Sequence, residues 1–197
     1  MNNIQTRSIA ILAALAALMA ATRFEHFGSA VSLPDASYAV FFLGGLYMAR
    51  SVRASVAVFT VLIVEAGLID FYATSVQGIS DWCMTPAYWF LIPTYGGLWF
   101  VGRWFALRHE MEGRGLVGLA LTAWAGCSFA FVFSNATFYL FSERFTDMSA
   151  MEYASRVTQY YGSYVMFALL YIACAVATHM AFDIIARQRA HARSGNI

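Results

Sequence analysis

Residues 54–74 read ASVAVFTVLIVEAGLIDFYAT, a run of 21 residues with only two ionisable side chains, Glu65 and Asp70. A helix needs about 20 apolar residues to cross the hydrocarbon core of a bilayer, so this stretch predicts a membrane span. The rest of the chain agrees, because 60% of its 197 residues are hydrophobic and only 12% are charged. A soluble domain of this size cannot bury that much apolar surface. We therefore expect a lipid bilayer to be one of its partners.

Five further apolar runs lie outside this stretch, at residues 8–22, 37–49, 87–107, 115–141 and 163–186. The chain is thus predicted to be an all-α polytopic membrane protein with six transmembrane helices, forming a single integral membrane domain over residues 1–197. Five spans is the main competing count, because the second run is short. The first run also contains an Ala-x-Ala pattern at 14–16 that is typical of signal-peptide cleavage, but we expect the run to be retained as a span.

The arginines indicate an orientation. In a six-span arrangement nine of the twelve fall on one side, and three fall on the other. The first group consists of Arg7, Arg50, Arg53, Arg103, Arg108, Arg114, Arg187, Arg189 and Arg193. By the positive-inside rule that side is cytoplasmic, which predicts a bacterial inner-membrane protein with both termini in the cytoplasm. The outer side then receives residues 23–36, 75–86 and 142–162. The net charge of +1 gives no reason to expect nucleic acid as a partner.

The first span is rich in alanine. Small residues recur there at four-residue spacing, as in the pair Ala13 and Ala17 or the pair Ala10 and Ala14. Such spacing lets another helix approach closely. The approaching helix is either a neighbour within the bundle or part of a separate membrane subunit.

Four ionisable residues fall inside predicted spans, where a charge is expensive and needs a reason. Glu65 and Asp70 lie in the outer half of the third span, and with Asn135 they either line a cavity that opens outward or pair with neighbouring helices. His179 and Asp183 are four residues apart, hence on one helix face, which favours a structural or coupling role.

The three cysteines differ in their surroundings. Cys127 and Cys174 fall in mid-span, where cysteine behaves as a small buried hydrophobe, whereas Cys83 falls in an outer loop. No Cys-x-x-Cys spacing suggests a disulfide framework or a zinc site. A thiolate is a soft ligand for transition metals, so Cys83 is the strongest candidate for a functional residue. His26, in another outer loop, is either a second ligand or hydrogen-bond donor, or simply a solvated residue.

The chain has six predicted spans, an alanine-rich first helix and the outer segment Asp81-Trp82-Cys83 after the third span. In these features it resembles the substrate-binding S-components of energy-coupling-factor vitamin transporters, and most of all the BtuM family of cobalamin transporters. The resemblance implies cobalamin as cargo, with Cys83 as the lower axial ligand of cobalt. It also implies removal of cyanide from cyanocobalamin by Cys83, and docking of Ala13 and Ala17 on an energy-coupling subunit. Cobalamin would be cargo, and no resident cofactor is expected.

A corrinoid has an apolar ring and a rim of polar amides, which suits aromatic, carboxylate and amide side chains. A Trp and Tyr belt at the membrane interface is the competing interpretation of the same aromatics. From predicted depth and side, the candidate residues of the binding wall are Asp81, Trp82, Tyr88, Tyr95, Asn135, Tyr139 and Arg144.

Other functions stay open at this level. The same fold with another vitamin or a metal ion as cargo would use Glu65, Asp70 and His26. A membrane redox enzyme acting through Cys83 is disfavoured because no second outer cysteine is present. A purely structural subunit would tolerate changes in its outer loops. The chain has no phosphate-binding loop motif and no lysine, so any ATP-driven step would belong to a partner.

Overall fold

The computed structural model describes residues 3–23 and 33–194, with side chains for residue 6, residues 8–23 and residues 33–189. Over these ranges the chain is all-helical, as predicted, and contains six α-helices, one 3-10 helix and no strand. The α-helices are α1 (Asn3–Thr22), α2 (Ser37–Tyr47), α3 (Val52–Ser75), α4 (Leu91–Arg108), α5 (Arg114–Phe141) and α6 (Ala150–Ser194). The 3-10 helix, Pro86–Phe90, leads directly into α4.

The short helix α2 lies at the centre of the bundle. Every residue from Ser37 to Leu46 is buried, and α2 contacts all five other α-helices. Its 11 residues rise only about 16 Å, roughly half the hydrocarbon core of a bilayer. Because α2 carries no charged side chain, it can be surrounded by protein without leaving a charge unpaired.

Helices α2 and α4 form the closest packing in the bundle, because glycine lies at their crossing. A Cβ atom at Gly45 would overlap the carbonyl oxygen of Trp99, and one at Gly102 would overlap the carbonyl oxygen of Phe42. The Trp99 indole also donates a hydrogen bond of 2.8 Å to the Ser55 hydroxyl, which joins α4 to α3. The backbones therefore meet at a distance that only glycine allows.

Three of the helices are long and apolar enough to cross a membrane, namely α3, α5 and the Ala150–Arg189 part of α6. Large apolar side chains such as Val64 on α3, Leu121 on α5 and Leu170 on α6 point outward and are more than half exposed. Outward apolar side chains on long helices are suited to lipid. The chain is accordingly a membrane protein.

The sixth helix begins earlier than predicted. The sequence predicted a span at 163–186 preceded by an outer loop at 142–162, but α6 starts at Ala150, so only residues 142–149 connect it to α5. The Ser149 hydroxyl accepts a hydrogen bond from the Glu152 amide, which is an N-cap, and Arg156 donates one turn later to Glu152 at 2.8 Å. The polar residues at the start of α6 are typical of a loop, but here they form a solvated extension of the helix.

Candidate functional site

One end of the bundle collects most of the residues singled out above. Helices α1, α3 and α5 finish there, and α2, α4 and α6 begin there. Contacts such as Thr22 Oγ1 accepting from the Ala36 amide at 3.1 Å, and Tyr139 donating to the Met148 carbonyl at 2.8 Å, join successive helices at this end. We call it the Cys83 end.

Arg23, the residue after α1, is the centre of a buried polar cluster at the Cys83 end. Only 2% of its surface is exposed. Its Nε and Nη2 donate to the two carboxylate oxygens of Asp70 at 2.8 and 2.7 Å. Its Nη1 donates to the hydroxyls of Ser37 at 2.6 Å and Tyr95 at 3.0 Å. A buried guanidinium needs such partners to offset its lost hydration. With Tyr88, these residues form what we call the Arg23 cluster.

Tyr88 connects this cluster to the loop that carries the candidate thiol. Its hydroxyl donates to Asp70 Oδ2 at 2.7 Å, so the 3-10 helix is attached to the C-terminal part of α3. Between these two elements run residues 76–85, the Cys83 loop. Tyr88 was predicted to be a wall residue, and its hydroxyl is instead directed to Asp70.

The Cys83 thiol is solvent-exposed and not in a disulfide. Partial burial among neighbouring atoms raises its pKa above the usual thiol value, and the Asp70 carboxylate raises the pKa further. The phenols of Tyr153 and Tyr164 on α6 lie within electrostatic range of the sulfur. At neutral pH the free thiol therefore keeps its proton, although it is open to a ligand arriving from solvent.

A second contact holds the Cys83 loop from the other side. The Arg144 guanidinium lies over the Trp82 ring, 4.7 Å from its centroid. Arg144 belongs to the connection between α5 and α6, so two predicted wall residues distant in sequence are brought together. Asp81, next to them, is exposed, and its carbonyl accepts from the Met84 amide at 2.8 Å.

Asn135 and Tyr139 both lie near the end of α5, but each is engaged with protein. Asn135 Nδ2 donates to the Phe131 carbonyl at 2.9 Å, and its Oδ1 accepts from Tyr153 at 3.3 Å. The Tyr139 ring packs on Tyr153, with centroids 5.0 Å apart. They support the start of α6 at the Cys83 end.

Tyr95, which the sequence predicts to be a wall residue, lies in the core of the structure. Tyr95 is 4% exposed, its hydroxyl belongs to the Arg23 cluster, and its ring stacks on Phe41 at 4.2 Å. Its position in the second turn of α4, facing the central helix α2, places it in the core.

The two carboxylates of α3 do not form a shared site. Asp70 is directed into the Arg23 cluster, whereas Glu65 lines a separate shallow groove of about 370 Å³ on α3, beside Val61 and Leu68. Glu65 Oε2 is buried and has no hydrogen-bond partner among the described residues. Among the described side chains, no three His, Cys, Asp or Glu groups come together as they would around a bare metal ion. Of the two predicted alternatives, Asp70 follows the one in which it pairs to a neighbouring helix.

The remaining cysteines are only partly as expected. Cys127 is fully buried in the core, but Cys174 is exposed on α6, so its predicted burial is wrong. Mid-span position does not determine which face a residue occupies on a helix that packs along one side only. His179 and Asp183 do share a face of α6, with His179 Nε2 and Asp183 Oδ2 3.2 Å apart, and the His179 ring stacks on Tyr47.

Three further predicted residues complete the set. Ala13 and Ala17 lie on an exposed face of α1, while Leu15 and Met19 of the same helix are buried in the bundle. Packing within the bundle therefore does not account for these two alanines. His26 lies outside the residues that the structure describes.

Sequence reasoning missed Arg23, because it was counted as one of three loop arginines. The available signal was a lone arginine at the end of an apolar run, together with an aspartate inside another span, since charges near apolar helices tend to pair. It also missed Thr85, two residues from Cys83, whose buried Oγ1 has no partner in the part of the chain that the structure describes.

Comparison with known proteins leaves the chain without an assigned family: no protein-family description matches it, and no curated protein is significantly similar.

Proposed function

We propose that the protein takes up cobalamin across the bacterial inner membrane, and that Cys83 binds the cobalt of the incoming corrinoid from its lower axial side. The observation that carries the proposal is an exposed, unpaired thiol on a loop at one end of a membrane bundle. The corrin ring supplies four ligands to cobalt, so a single protein sulfur is enough, and no cluster of ligating side chains is needed.

The surroundings of Cys83 suit a large amphipathic cargo. Trp82 is about half exposed beside Arg144, offering one apolar and one polar surface next to the thiol. Asp81 is exposed in the same loop. These residues would contact the ring edge and the amide rim.

The chemistry at Cys83 is a ligand exchange. The thiol loses its proton to solvent, the sulfur lone pair forms a bond to cobalt, and the benzimidazole base leaves the lower position. Electron donation from sulfur weakens the bond to an upper cyanide, which leaves with its electron pair and takes up a proton. Cobalt does not change oxidation state in these steps. Decyanation would thus accompany binding, and transport would be the main activity.

The proposal includes the six-span arrangement, with the Cys83 end outside and both termini in the cytoplasm. It is supported by charge: at the opposite end Arg187 of α6 bonds Glu112 at 2.9 Å, and most of the other arginines lie near that end along the helices. The exposed Ala13 and Ala17 face would receive an energy-coupling subunit where uptake depends on one.

The hydrogen bonds of Asp70 argue against the other cargo hypotheses. A vitamin or metal-ion site built on Glu65, Asp70 and His26 requires the Asp70 oxygens, and these already bond Arg23 and Tyr88. Removing Asp70 from Arg23 to bind a metal would leave a buried guanidinium unpaired.

The test is the visible spectrum of protein purified from cells supplied with cobalamin. We expect corrinoid absorbance in the parent protein, a changed band position or loss of the pigment in Cys83→Ser, and no change in Cys174→Ser, which removes the other exposed cysteine. Colourless parent protein, or a Cys83→Ser spectrum identical to that of the parent, would refute the proposal.

A further inference from the structure

We propose that Asp70 is a positioning residue for Cys83: through Tyr88 it determines where the Cys83 loop holds the thiol. The inference deepens the proposed function and rests on it for its biological meaning. The placement of the thiol, however, can be measured without any cargo.

The first step is the rigidity of Asp70. Both of its carboxylate oxygens accept from Arg23, which leaves the group a single orientation. Arg23 is in turn held by Ser37 and Tyr95, on two further helices. The Tyr88 hydroxyl therefore donates to an oxygen whose position is set by the buried ends of four helices.

The second step is the sparse attachment of the Cys83 loop. Its first residues bond back to the end of α3, as the Ile79 amide does to the Ala73 carbonyl at 3.1 Å. Nearer the thiol the bonds stay within the loop, such as the Thr85 amide to the Cys83 carbonyl at 3.0 Å. Those bonds shape this part of the loop without fixing it to the bundle. The Tyr88 bond to Asp70 fixes the segment that follows the loop, and Arg144 contacts the loop at Trp82.

The experiment is alkylation of Cys83 by iodoacetamide, in purified full-length protein without corrinoid, in a Cys127→Ala, Cys174→Ser background. The rate at high pH, where it reaches a plateau because the thiol is ionised, reports the accessibility of the thiol. Tyr88→Phe removes only the bond to Asp70, and we expect its plateau to rise about threefold or more. Asp70→Asn weakens the same bond by removing the charge of its acceptor, so its plateau should rise as well.

Tyr161→Phe is the matched control, because it also removes one tyrosine hydroxyl bond, the 2.8 Å contact with Ser128, away from the Cys83 loop. Its plateau should equal that of the background protein. If Asp70→Asn does not fold, Tyr88→Phe decides alone. An unchanged plateau in Tyr88→Phe, or an equal rise in Tyr161→Phe, overturns the inference. Because no corrinoid is present, failure here leaves the spectral test of the proposed function standing, and the reverse also holds.

Discussion

At the scale of single residues, Arg23 and Cys83 lie at the same end of the bundle but differ in burial and in bonding. Arg23 is withdrawn from solvent and has a protein partner for each of its three nitrogens. Cys83 is left without such a partner on an exposed loop. A satisfied buried group stabilises one arrangement of the helices, whereas an unsatisfied exposed one is free to meet a ligand.

Removing one partner of the Arg23–Asp70 pair should cost more than removing both. Arg23→Met would leave the Asp70 carboxylate buried without its guanidinium, at an expected cost of about 3–5 kcal/mol in unfolding free energy. The double change Arg23→Met, Asp70→Leu leaves no unpaired charge and should recover a large part of that loss. Thermal unfolding in detergent of the two single variants and the double variant measures the coupling. Additive losses would mean that the pair does not act as a unit.

Corrinoid binding through Cys83 should strengthen as pH rises. The pKa of the thiol is raised, so the proton must be displaced throughout the neutral range, and affinity should increase about tenfold per pH unit below that pKa. Titrating aquocobalamin into the purified protein at several pH values measures the slope. Cys83→Ser should bind weakly and without this slope, and an equal slope in that variant would point to another titrating group.

At the scale of elements, the crossing of α2 and α4 positions the site. Tyr95 on α4 and Ser37 on α2 both reach Arg23, so the Arg23 cluster depends on how closely these two helices approach. Glycine at the crossing allows that approach, and the fully buried α2 then organises the helices around it. Secondary structure alone would not bring the two hydroxyls to one guanidinium.

Alanine at the crossing should therefore separate the helices. Gly45→Ala places a methyl group against the Trp99 carbonyl, a backbone atom that cannot rotate away, and we expect a loss of about 3 kcal/mol in unfolding free energy. Gly67→Ala on α3 is the control, because nothing lies within 4 Å of its added Cβ, and a helical alanine should be neutral or slightly stabilising. Melting temperatures of the two variants in the same detergent compare them. Equal melting temperatures would show that the crossing adapts easily.

At the scale of the whole molecule, α6 exceeds the thickness of a membrane. Its 45 residues rise about 67 Å, roughly twice the hydrocarbon core. One end continues past the bundle with Arg187 and Arg189 exposed, and the other begins near the Cys83 loop. The length gives a physical reason for the two ends of the molecule to face different compartments.

The proposed six-span arrangement predicts which reagents reach which end. In intact cells a membrane-impermeant maleimide that has passed the outer membrane should label Cys83, in a background without Cys174. A cysteine introduced as Glu110→Cys, between α4 and α5, should be labelled only after the inner membrane is opened. Labelling of both positions in intact cells would contradict the arrangement.

The all-helical fold and the approximate extent of five of the six helices could be predicted from sequence, because a run of apolar residues long enough to span lipid has few alternatives to a helix. The start of α6 could not, since its first turns are polar and depend on the Ser149 cap and the Glu152–Arg156 pair. The exposure of Cys83 followed from loop position alone.

What only the tertiary structure decided is which polar groups face one another. Sequence placed Asp70 in a span and Arg23 in a loop, and it assigned Tyr88 and Tyr95 to the same wall. The fold joins Arg23 to Asp70, buries Tyr95 against Phe41, and directs Tyr88 beneath the Cys83 loop. Local sequence determines whether a segment is helical, because helix hydrogen bonds are made within the segment. The partner of a side chain instead depends on the close α2–α4 crossing and on helices far apart in the chain.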